Sequence, residues 1–165
     1  LWTEAERNAI NIYTVTIDNT NLQDSEWYIN TNQSYSFDGS AATASYGTAT
    51  AKAHADANFT AQDETDGLGT EGELKSEGLK TKLIRKVKSA ASNELTKTDW
   101  YVTRKSEKTT TIPSAVSTHR DAVRTKQAAM ETAITNASDT PALITLYTRN
   151  VEGVRPLGDL PTKDF

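Results

Sequence analysis

Cysteine is absent from the 165 residues, which removes disulfides, thiolate metal ligands and thiol nucleophiles together. Large core-forming side chains are scarce as well. Leu, Ile, Val and Phe number 29 in all, below the roughly 20% at which a composition begins to resemble that of disordered chains. Disorder of that kind also needs strong self-repulsion, and the formal net charge is only −4. The composition therefore predicts a chain that is ordered but extended, or completed by partners. No apolar run approaches the roughly 20 residues that span a bilayer, and Leu1-Trp2-Thr3-Glu4 has neither the basic nor the apolar stretch of a signal peptide. No membrane role is expected. Leu1 is too large for ordinary removal of an initiator Met before it, so the numbering is expected to begin inside a longer gene product.

Chemistry-bearing patterns are also missing. The only histidines, His54 and His119, have no second ligand at helical spacing, and the ordinary reading of each is a polar helix position. Asp63, Glu64 and Asp66 lack the spacing and terminal Glu of a calcium loop, and Gly67, Gly69 and Gly72 are not followed by the Gly-Lys-Ser/Thr of a phosphate loop. Catalytic, cofactor-binding and metal-binding residues are expected to be absent. The bases from Lys75 to Lys88 are the best case for nucleic acid, but the pI near 5.2 and the lack of interleaved aromatics weigh against it.

What the chain does have in quantity is Thr, with 26 residues, and many Ala and Ser, side chains suited to strands and close helix contacts. Thr3-Glu4-Ala5-Glu6 spells a capping box for a short helix. From Ile10 to Ile17 alternation of Tyr13, Val15 and Ile17 with Ile12, Thr14 and Thr16 predicts a half-buried strand. Trp27-Tyr28-Ile29 and Ser34 to Phe37 read as further strands, Asp38-Gly39 as a hairpin turn, and Ala41 to Thr50 as a weak returning strand. Residues 1–50 are thus expected to form a small, mostly antiparallel β-rich module, and 51–72, with acids, glycines and no apolar period, a linker.

Leu79, Leu83, Val87, Ala91 and Leu95, widened by Ile84 and Ala90, predict a helix from Glu73 to Lys97. Thr98-Asp99-Trp100 is expected to end it and to lead into a loop or short strand. After Ile112-Pro113 a second seam runs through Val116, His119, Val123, Lys126, Met130, Ala133 and Ala137. Two helices so joined should pack as an antiparallel hairpin over 73–147, capped by a short helix from Thr140-Pro141. The segment 148–165 is broken by Gly153, Pro156, Gly158 and Pro161, yet Val151, Val154, Leu157, Leu160 and Phe165 are too apolar for a purely solvating tail. An extended tail with these five as partner contacts is one expectation and disorder the other. The fold class expected is α+β.

The stretch Asn93 to Glu107, with Ile112-Pro113 and Thr118 to Arg124, resembles tail-associated proteins of bacteriophages. In that group a helix ends in Leu-x-x-Thr-Asp-Trp, a short loop leads to Ile-Pro or a similar pair, and the next helix carries Arg-x-x-x-Arg. Leu95, Thr98, Asp99, Trp100, Ile112, Pro113, Arg120 and Arg124 match, within a resemblance that spans roughly residues 75–147. Members are described as tail-fibre assembly chaperones, tail-fibre proteins or virion proteins. The resemblance implies a location in the virion tail after synthesis in the host cytoplasm, tail or tail-fibre subunits as partners, and a homo-oligomeric or symmetric assembly. It also implies a structural role for Thr98, Asp99, Trp100, Arg120 and Arg124. Asp99 would cap the helix or bridge to Arg120 or Arg124 while Trp100 packs between the helices, an exposed Trp100 as interface anchor being the alternative.

Overall fold

The computed structural model describes residues 2–31 and 33–165. Leu1, on which the expectation of a longer gene product rests, lies outside them. The chain is α+β, with small antiparallel and mixed sheets in its N-terminal half and helices in its C-terminal half. It divides into two compact units, Leu1–Lys52 and Ala53–Phe165.

The first unit opens with α1 (Glu4–Asn8), closed by the expected capping box: Thr3 Oγ1 accepts from the Glu6 amide and the Glu6 carboxylate accepts from the Thr3 amide at 2.7 Å. The expected strand from Ile10 is shorter than its alternation suggests. Asn11 takes a left-handed φ of 62° and the Ile12 amide donates back to the Arg7 carbonyl, so the helix end consumes residues 9–12 and β1 runs only over Val15–Asp18. β1 pairs in parallel with β4 (Ala42–Ser45), which pairs antiparallel with β3 (Ser34–Phe37), giving a three-stranded sheet in the order β1-β4-β3. Asp38 Oδ1 accepts from the Ser40 and Ala41 amides and Gly39 adopts a φ of +99°, which is why Asp-Gly turns the chain there. A second pair joins β2 (Tyr28–Ile29) to β5 (Thr50–Ala51), next to buried Trp27.

The expected linker, apart from Ala51 and Lys52, belongs to the second unit and is folded. β6 (Ala57–Asn58) and β7 (Leu74–Ser76) pair antiparallel, and between them α2 (Ala61–Thr65) has its own capping box, Thr60 with Asp63. Lys75 bridges to Asp63 at 2.6 Å, and that bond together with those from Thr60 lowers the Asp63 carboxyl to about 2. Caps and turns hold this segment, which is why apolar periodicity could not reveal it. The expected helical start at Glu73 is also corrected: α3 covers Leu79–Thr96. Its N-terminal amides are taken by the preceding segment, Gly78 by Asp56 Oδ1 at 2.7 Å, Leu79 by the Ala53 carbonyl and Lys80 by the His54 carbonyl.

α3 lies antiparallel to α5 (Ser114–Asn136), since Glu94 meets His119 at one end while Lys88 meets Glu131 and Lys80 reaches the Thr135 carbonyl toward the other. The core between them holds Leu79, Leu83, Val87 and Ala91 against Val116, Val123, Met130 and Ile134. Leu143 of α6 (Thr140–Tyr147) closes it; Asp139 caps that helix by accepting from the Ala142 amide. The expected seams need two corrections. Glu94 rather than Leu95 is the buried residue near the end of α3, and Lys126 lies at the helix edge, donating to the Leu157 carbonyl. The expected loop after Thr98 is a third correction, being a ten-residue helix, α4 (Asp99–Lys108), with Asp99 in its first turn, Lys105 and Lys108 in its last, and Thr109 ending it at a φ of 55°.

Candidate interaction site

Within the second unit the structure brings together most of the expected motif. Thr98 is fully buried at the α3–α4 corner, its hydroxyl donating to the Leu95 carbonyl at 3.0 Å. Arg120 Nη1 reaches this corner from α5 and donates to the Leu95 carbonyl, Thr98 Oγ1 and Asp99 Oδ1 at 2.8, 2.7 and 2.9 Å. The three oxygens share the two hydrogens of this one guanidinium nitrogen, a donor-only group. This arrangement ties the corner to α5 and leaves Asp99 as its solvent-facing member.

Arg124 does not join it, pairing instead with Asp121 on the exposed side of α5 at 3.2 Å. Trp100 does not pack between the helices: the two-residue turn at Lys97 and Thr98 starts α4 so that Asp99 faces Arg120 while Trp100 stays half-exposed, at 50%. Its ring lies beside that of Tyr101, centroids 3.7 Å apart, with the Arg104 guanidinium 5.9 Å above.

Sequence reasoning missed the most buried ionisable cluster. Glu94 Oε1 accepts from the backbone amide of Lys163 and lies 3.0 Å from His119 Nε2, while Oε2 pairs with Lys97 at 2.6 Å. The Lys97 bond holds the Glu94 carboxyl below the usual range against the opposing effect of burial, with the Lys163 amide and His119 adding to it. The single available signal was the spacing that sets Glu94 one turn beyond Ala91 on the packed face. Both Glu94 carboxylate oxygens are engaged, so the cluster ties α3, α5 and the C-terminal segment together.

That cluster anchors the C-terminal segment, which corrects the expectation of an extended or disordered tail. Leu157 is buried, its amide donating to the Leu146 carbonyl, and the Phe165 ring sits 5.2 Å from His119. Arg149 and Arg155 both bridge to Asp159. Of the five expected partner contacts, Leu157 is covered by its own chain, Leu160 is partly covered, and Val154, Phe165 and the fully bare Val151 remain exposed. A groove of about 430 Å³ beside this segment is walled by Val87, Met130, Tyr147 and Leu160.

The basic stretch before and along α3 is largely engaged within the unit. Lys75 bridges to Asp63, Arg85 to Glu77 and Lys88 to Glu131, and Lys80 donates to the Thr135 carbonyl.

In the first unit the register places Val15, Ala42 and Phe37 in one row and Ile17, Ala44 and Tyr35 in the next, all on one face of the sheet. The other face carries Thr16, Thr43, Ser36, Asp18, Ser45 and Ser34. Only the alanine centre of the apolar face is covered: Ala44 is buried, whereas Val15, Ile17, Tyr35 and Phe37 stand 44 to 71% exposed. Tyr13 adds its ring 4.5 Å from that of Phe37. Both outer strands of this sheet have an unpaired edge among the described residues.

No family model matches the chain, and no curated protein and no solved structure shows significant similarity to it.

Proposed function

We propose that this chain is a structural component of a bacteriophage tail that attaches or adapts a tail or tail-fibre part through protein contacts and performs no catalysis. The observation that carries this reading is the bare apolar face of the first unit's sheet. Among the described residues of that unit, Trp27 and Ala44 are the only buried apolar side chains, too little to hold a sheet by itself. Covering four half-exposed aliphatic and aromatic side chains contributes roughly 1 kcal/mol each, so a neighbouring subunit supplies what the unit lacks. The tail context comes from the resemblance around Thr98, Asp99, Arg120 and Arg124.

A second reading, a tail-fibre assembly chaperone that leaves before the particle is complete, is favoured by one feature. The second unit buries its own core and secures its own C-terminal segment through Glu94, so the hairpin needs no permanent partner. Quantitative mass spectrometry of purified particles separates the two. A fixed copy number relative to the tail's principal protein supports the structural role, and absence from mature particles sinks it in favour of the chaperone.

A further inference from the structure

The strand β3 stands at an open edge of the first unit's sheet. Along an antiparallel pair, residues alternate between those whose amide and carbonyl both face the partner strand and those whose amide and carbonyl both face away. The Asp38 amide donates to the Ala41 carbonyl, and Ser36 opposite Thr43 and Ser34 opposite Ser45 follow in the same register, so these residues spend their backbone groups on β4. Tyr35 and Phe37 therefore turn their amides and carbonyls outward, where among the described residues nothing pairs with them. Edges of this kind are ordinarily blunted by a Lys, a Pro or a bulge. Here residues 27–37 hold no charged side chain, no Pro and no Gly, and the β3–β4 register runs without a shift.

The outward groups fit a second copy of the same strand. Turned about a twofold axis at Ser36, an antiparallel β3 sets Tyr35 opposite the copy's Phe37 and Phe37 opposite the copy's Tyr35, and every outward amide then meets an outward carbonyl. Residues directly opposite each other share a face, and Tyr35 and Phe37 both lie on the apolar one, so this register keeps the two sheets in phase. It also continues the apolar rows across the join: Val15, Ala42 and Phe37 run on into Tyr35, Ala44 and Ile17 of the copy. The other edge, β1, would oppose Val15 with Ile17 in the equivalent register. Aromatic pairs across strands favour β3, where the Tyr13 ring already lies against Phe37.

We infer that β3 of one chain pairs antiparallel with β3 of a second copy about a twofold axis at Ser36, joining the two sheets into one. The contact is isologous and closes at the dimer. It uses the strand edge alone, so the joined apolar face stays available to the neighbouring subunit of the proposed function.

Sedimentation velocity on the full chain tests it, with circular dichroism as the check on folding. The wild-type protein should pass from monomer to dimer with rising concentration and go no further. Ser36 would face its own copy in a pair without hydrogen bonds, the Cα atoms about 4.5 Å apart. Its side chain is exposed on the polar face, so Ser36→Lys and Ser36→Glu keep the fold while setting like charges against each other. Each should be monomeric alone, and an equimolar mixture of the two should dimerise again. Because the chain has no cysteine, Ser36→Cys adds a single thiol. Under mild oxidation it should form a disulfide-linked dimer faster when folded than in urea, whereas Thr16→Cys, at the matching place on β1, should not. Wild-type protein that stays monomeric, charged variants that dimerise alone to the wild-type extent, or crosslinking through Thr16→Cys in place of Ser36→Cys would each overturn the inference. A monomeric protein that is nevertheless a fixed component of purified particles leaves the proposed function standing and removes this inference alone; a dimer of the stated kind that is absent from particles does the reverse.

Discussion

Glu94 Oε1 lies 3.0 Å from His119 Nε2 and accepts the Lys163 amide at the same distance, so one buried carboxylate joins the two long helices to the end of the chain. Its folded pKa lies below its ordinary value of 4.5, chiefly through Lys97. A carboxyl depressed in the folded state contributes stability that is complete above its unfolded value and is lost as the pH falls through the folded one. The last residues of the chain should therefore come free on acidification, beginning below a pH of about 4.5. Amide hydrogen exchange at Lys163 reads this directly: its protection relative to core amides of α5 should collapse in acid and be weakened already at neutral pH in Glu94→Gln.

The three expected members of the bridge should differ sharply in weight. Arg120→Ala removes the buried cation that ties Leu95, Thr98 and Asp99 to α5 and should cost about 2–4 kcal/mol. Asp99, whose side chain is more than half exposed, should cost under about 1 kcal/mol as Asp99→Ala, and Arg124→Ala about 0–0.5 kcal/mol. Urea denaturation midpoints rank the three; equal losses for Arg120→Ala and Arg124→Ala would contradict the geometry.

Leu157 and Val151 test whether the C-terminal segment is part of the fold. Leu157→Ala should destabilise by about 2–3 kcal/mol because it empties a buried site, whereas Val151→Ala should change stability by less than about 0.5 kcal/mol. Thermal melts of both variants suffice, and a neutral Leu157→Ala would restore the picture of a free tail.

Gly78 has an ordinary extended conformation, φ −75°, so its necessity is one of space: a Cβ there would stand 2.3 Å from the Ala55 carbonyl carbon. Gly78→Ala must push residues 53–56 away from the start of α3 and should cost about 2 kcal/mol or more, visible as a lowered melting temperature.

These particulars show which features the sequence could express. The long helices were legible because Leu79, Leu83, Val87 and Ala91 repeat at helical spacing and survive as the packed face. The N-terminal capping box and the Asp38-Gly39 turn were legible because local chemistry alone decides them. The segment from Ala57 to Ser76 was not, since its two short strands and Thr60–Asp63 cap carry no apolar rhythm. α4 escaped for a related reason: a helix that buries nothing leaves no seam to find. The Asp99–Arg120 bridge was expected as one of two pairings, and the choice between Arg120 and Arg124 depends on which face of α5 meets the corner. Glu94 and His119 sat 25 residues apart with nothing but the fold to join them.

The claim on which the functional reading depends is that neighbouring subunits cover the apolar face of the first unit's sheet. Hydroxyl-radical footprinting of Tyr35 and Phe37, read by mass spectrometry on the isolated protein and on purified particles, measures that cover at the residues themselves. Both rings should react readily in isolation and be strongly protected in the particle. Equal reactivity in the two states would show the face bare where it should be occupied, and the account would fail.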